Sequence, residues 1–202
     1  MKKRIVMLTL AVATALSVTG CGAKESDTIA VDKPTASVVD LSSNWKDMQF
    51  ILGDKLYKVP FDYIELASEG WSYENASETV NDSAKQLSVK LMNPFFNNNT
   101  SVGIVNNSGK TTDGTNCKVF RFEMNVKDTL AIDEIRIAGG LRWGSSLTEI
   151  LSAWGTPSSQ KDLDVNTVKL NYYDPEKNIS VDLTVDKNSG LLGVNFEDNS
   201  IQ

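Results

Sequence analysis

The chain has 202 residues, 41% of them hydrophobic and 23% charged, with a formal net charge of −6, a balance that fits a globular chain of one or two small domains. It contains no histidine, which removes Ser-His-Asp and Cys-His nucleophile arrangements and the HExxH zinc site. Its two cysteines, Cys21 and Cys117, are too few for a cysteine-based zinc cluster or a disulfide framework once Cys21 is assigned to a lipid, as argued next.

Lys2, Lys3 and Arg4 precede an apolar stretch from Ile5 to Val18. That stretch is shorter than the about 20 residues that span a bilayer, so the segment reads as a secretion signal. It ends in Val18-Thr19-Gly20-Cys21, which resembles the bacterial lipobox. The resemblance implies cleavage between Gly20 and Cys21, a diacylglycerol on the Cys21 sulfur, and a chain held on a membrane outside the cytoplasm without spanning it. Loss of residues 1–20 leaves 17 Lys+Arg against 26 Asp+Glu, a net charge of −9, which disfavours nucleic acid and anionic lipid headgroups as partners. Residues 21–44 are small and polar and lack aromatics, the composition of a flexible tether. The folded part is then 45–202, expected as a first module over 45–130 and a second over 131–202.

A weak internal repeat supports that division. Phe50 to Pro60 placed over Ile135 to Ser145, an offset of 85, reads twice as strand, glycine-containing turn, strand. In the second copy Leu147, Ile150, Leu151 and Trp154 fall on one helical face, Ser146 and Glu149 form a capping box, and Gly155-Thr156-Pro157 stops the helix. In the first, Phe61, Ile64, Leu66 and Ala67 predict about two helical turns between Pro60 and Gly70. After each helix the period changes to two. Strands are expected at about 87–92, 102–105 and 118–126, and again at about 168–173, 179–185 and 191–197. Alternation across Ile179 to Val185 leaves one face of the sheet polar and wet. The expected fold class is α+β: two tandem modules, each a short hairpin, an amphipathic helix and a three-stranded antiparallel meander with the helix packed on one face.

The stretch Gly140 to Pro157, a strand-end glycine, a capped helix and a G-x-P stop ahead of a meander, resembles the helix-plus-meander modules of the β-lactamase inhibitor protein family and of outer-membrane assembly lipoproteins of the SmpA/OmlA type. The resemblance implies a non-enzymatic protein-binding module. It carries over no contact residues.

Catalytic patterns are incomplete. Ser43-Asn44-Trp45-Lys46 and Ser158-Ser159-Gln160-Lys161 satisfy S-x-x-K, but no S-D-N or K-T-G accompanies them. Asp186-x-Asn188-x-Gly190 places its glycine one position early for a calcium loop and reads as a hairpin turn. Paired carboxylates, Asp133/Glu134 or Asp162/Asp164, remain the catalytic option open to a histidine-free chain, though solvated charge explains them. Cys117, next to a strand pattern, is expected to be buried. Adjacent aromatics that cannot share one face of a strand, Phe95-Phe96, Tyr172-Tyr173 and Trp71-Ser72-Tyr73, are the candidate contact residues. The expectation is a lipid-anchored, non-catalytic binding protein, without cofactor or metal, that recognises an envelope or secreted protein or another cell-envelope component. The alternatives are a small-molecule or carbohydrate receptor and a carboxylate-based envelope enzyme.

Overall fold

The computed structural model describes residues 40–73, 79–82, 84–92, 99–126 and 135–201, with backbone alone over 85–88. In chain order the strands and helices are β1 (Gln49–Leu52), β2 (Lys55–Lys58), β3 (Phe61–Asp62), α1 (Ile64–Ala67), β4 (Ser72–Tyr73), β5 (Thr79–Val80), β6 (Lys85–Met92), β7 (Asn99–Val105), β8 (Thr112–Asp113), β9 (Lys118–Asn125), β10 (Ile135–Ile137), β11 (Leu141–Arg142), α2 (Leu147–Trp154), β12 (Ser159–Asp162), β13 (Thr167–Asp174), β14 (Ile179–Asp186) and β15 (Gly190–Asp198).

The expected α+β layout of two helix-plus-meander modules does not form. The described chain is mostly β, with two α-helices of four and eight residues. One long antiparallel sheet runs β12-β13-β14-β15-β9-β7-β6-β4, with β3 also paired to β9, and a second sheet runs β11-β10-β1-β2. The physical reason is the open strand edge. Two separate meanders would each leave an unpaired final strand, and pairing β9 with β15 removes both edges at once. Nor can one turn of helix cover three strands. Phe61, expected in the first helix, instead lies in β3 opposite Val119, and the inner face of the long sheet is covered largely by the four-stranded one.

Both sheets are built from both halves of the chain about an approximate two-fold relation. In the small sheet Phe50 pairs with Ile137, Ile51 with Arg136 and Leu52 with Ile135, so the segments superposed at an offset of 85 pair with each other around Ile51–Arg136. At the centre of the long sheet Phe122 pairs with Phe196 and Arg121 with Glu197. There residues 121–125 pair with 193–197, so that Phe120-Arg121-Phe122-Glu123-Met124-Asn125 and its analogue in the second half, Val194-Asn195-Phe196-Glu197-Asp198-Asn199, meet around Phe122 and Phe196.

The core sits on this centre. The Phe50 ring stacks at 4.3 Å on Phe122 and at 5.3 Å on both Phe196 and Tyr57. A second cluster closes one end: Trp154 meets Tyr172 edge-on at 5.1 Å, Trp45 packs at 5.7 Å from Tyr172, and the Trp154 indole N–H donates to the Ala138 carbonyl at 2.8 Å. The capping box of α2 forms as its sequence predicts: Glu149 N–H donates to Ser146 Oγ and Ser146 N–H to Glu149 Oε2.

Residues ahead of β1 are tied into the fold. Gly139 N–H donates to the Ser42 carbonyl, Ser42 N–H to Gln49 Oε1, and Lys46 Nζ lies 3.0 Å from Asp174 Oδ2. The Lys46 ammonium, followed by the backbone N–H groups of Lys177 and Glu176, holds the Asp174 carboxyl below the usual carboxylate range. A depressed folded-state pKa stabilises above the unfolded value, about 3.9, and that contribution fades as pH falls through the folded value. Lys46→Met is therefore expected to melt lower than the parent by a constant margin from about pH 5 to 7, and the margin is expected to narrow below about pH 4. Thermal melts across that range check this; a margin independent of pH would disprove it.

Candidate binding surface

Alternation gives the long sheet two unlike faces. In β14 Ile179, Val181, Leu183 and Val185 are buried inward, while Ser180, Asp182, Thr184 and Asp186 face outward. Register carries the outward pattern from strand to strand. A central row of side chains, Ser159, Asn171, Asp182, Asn195, Glu123, Ser101 and Lys90, crosses seven strands. Its span is roughly 29 Å at the usual strand spacing. A flanking row holds Tyr173, Ser180, Glu197 and Arg121, and another holds Lys161, Lys169, Thr184, Gly193 and Asn125.

These side chains are braced against each other within the plane of the face. Arg121 Nη2 donates to Glu123 Oε2 at 2.7 Å and its Nε to Asn195 Oδ1 at 3.0 Å, linking β9 to β15. Glu123 also accepts from Asn125 Nδ2 at 3.1 Å and from Ser101 Oγ at 3.4 Å. On the neighbouring strands Asp182 accepts from Asn171 Nδ2 at 2.7 Å and pairs with Lys169 Nζ at 2.8 Å. Arg121, Glu123 and Asp182 keep 22%, 31% and 18% of their side-chain surface exposed, so they are held in place yet reachable. Gly193 makes the close approach possible, because a Cβ there would strike Asn125 Oδ1. A shallow cup lined by Lys90, Asn99, Ser101, Glu123 and Asn125 lies beside this network.

The sequence-predicted contact residues divide sharply. Tyr173 is 43% exposed and stands on the open face. Tyr172, Trp71 and Tyr73 do not reach the surface as expected: they are 1%, 3% and 7% exposed and belong to the core. Burial pushes the Tyr172 phenol up to about 12, and its hydroxyl donates to the Gly155 carbonyl. Cys21, Phe95 and Phe96, with Asp133 and Glu134, lie outside the described residues. Trp71 does line a cleft of about 480 Å³ beside the β1–β2 hairpin, with Leu52, Tyr57, Lys55, Asp54 and Glu69.

The remaining chemical candidates are engaged structurally. Ser158 Oγ accepts from the Tyr173 N–H, and Asp162 pairs with Lys187. Asp164 and Asp186 accept backbone N–H groups in tight turns, which lowers both carboxyls. Cys117 is buried, which pushes its thiol up. Among the described residues no cluster of Cys, Asp or Glu is placed to hold a metal ion, and no helix is long and apolar enough to cross a membrane.

Sequence reasoning read one wet sheet face but missed Arg121, Glu123, Asn125 and Asn195. The available signal was the match of Phe, Glu and Asn between 120–125 and 194–199. Comparison with protein-family models, with curated proteins and with solved structures returns no match to this chain.

Proposed function

We propose that the chain is a lipid-anchored, non-catalytic binding protein outside the cytoplasm that presents the open face of its long sheet to a protein or another cell-envelope component. The observation that carries this reading is the outward polar row across seven strands with its pre-braced centre, since groups already fixed lose little entropy on contact. The first described residues attach on the other layer, through Ser42 to Gly139 and Gln49. Anchoring raises the effective concentration of the open face toward surface-bound partners. A small-molecule receptor is the second reading, favoured by the hairpin cleft.

Cys21→Ser is expected to move the protein from the membrane fraction to the soluble one; unchanged fractionation would remove the anchor from the reading. Affinity capture from the host's own membrane, wall and secreted fractions tests the face. Thr184→Arg, a bulky intrusion on the open face, is expected to lower recovery of the partner about tenfold or more, while Lys58→Ala on β2 leaves it unchanged. Equal recovery by both variants would sink the proposal.

A further inference from the structure

Resting on that reading of the open face, we infer that its ligand is an uncharged, hydroxyl-rich glycan of the cell envelope. Three observations select this class. First, four charged side chains of the face are already paired in place, Arg121 with Glu123 and Lys169 with Asp182. An anionic or cationic ligand would compete with these pairs, whereas a neutral hydroxyl can join them, accepting from an amide and donating to a carboxylate oxygen. Second, the face is close to neutral on a chain whose mature net charge is −9, so the acidity lies elsewhere and this surface is not steered toward a basic partner. Third, the central row carries no aromatic side chain and no apolar anchor, unlike the desolvated core of a protein interface.

The row supplies what a polyol needs. Asn171 with Asp182, and Asn125 with Glu123, are amide–carboxylate pairs 2.7 Å and 3.1 Å apart, each offering a donor and an acceptor to neighbouring hydroxyls. The two pairs, one across β13 and β14 and one within β9, lie on or beside a polar row that crosses seven strands, a layout that matches an extended chain better than a single sugar. Tyr173, exposed at one side, offers a ring face for a sugar to cover.

The test is titration calorimetry of the full chain in detergent with chitohexaose and cellohexaose as neutral probes and polygalacturonate as the anionic one. Binding of a neutral probe is expected, unchanged between about 0.05 M and about 0.5 M salt. It should weaken about tenfold in Asn171→Ala/Asn195→Ala, the loss of two net hydrogen bonds. Should that pair lower the melting temperature, Ser159→Ala/Asn171→Ala at the exposed end of the row replaces it. No heat with either neutral probe, binding untouched by the variants, or binding confined to polygalacturonate and lost in salt would each overturn the inference. If neutral probes fail while Thr184→Arg still abolishes capture of a protein partner, the glycan is wrong and the open face is right.

Discussion

Phe50→Ala is expected to lower stability by about 3–5 kcal/mol, the cost of removing a buried phenylalanine and leaving a cavity. Phe50 joins the two sheets: it is fully buried in β1 and stacks on Phe122 and Phe196, the pair on which the long sheet is centred, as well as on Tyr57 of β2. Its loss opens a cavity where the two sheets meet and loosens the β9–β15 pairing that joins the two halves. Urea unfolding followed by tryptophan fluorescence and far-ultraviolet circular dichroism checks this. The expected midpoint shift is large and the same for both probes. A loss under about 1 kcal/mol would mean that the two sheets do not depend on this contact.

Gly190→Ala is expected to cost about 3 kcal/mol or more, from two effects that add. Gly190 has φ +85, a conformation that costs a side-chain-bearing residue of order 1–3 kcal/mol, and a Cβ there would land on the carbonyl of Gly144. The collision is with backbone, and the same contact holds the hairpin down: Leu191 N–H donates to Ser145 O and Gly144 N–H to Leu191 O. Gly109, with φ +75 and open space around its Cβ direction, separates the two effects. Gly109→Ala is expected to cost only about 1–2 kcal/mol. Equal melting temperatures for the two variants would show that strain alone matters at Gly190.

Local chemistry was legible where it is decided locally. Ser146 and Glu149 can cap only the helix they begin, and the alternation through Ile179–Val185 fixes which side of β14 is wet whatever lies next to it. The aromatic pairs were legible only in part. Alternation requires Tyr172 and Tyr173 to face opposite ways, but which one faces inward depends on Trp45 and Trp154, brought from residues far away in the chain. Trp71 and Tyr73 both reached the core because β4 joins the sheet edge beside β6, a pairing invisible in a two-residue strand.

By itself the sequence determined the absence of imidazole chemistry, the capped helix at 147–154 and the period-two alternation of β14, because each depends on residue identity or short spacing. Only the tertiary structure decided that the halves share their sheets, and that Arg121, Glu123, Asn125 and Asn195 converge on one open face. Those outcomes depend on which strand edges meet. Edge pairing is chosen by burial of Phe50, Phe122 and Phe196 against one another, a long-range contact that no local window of sequence contains.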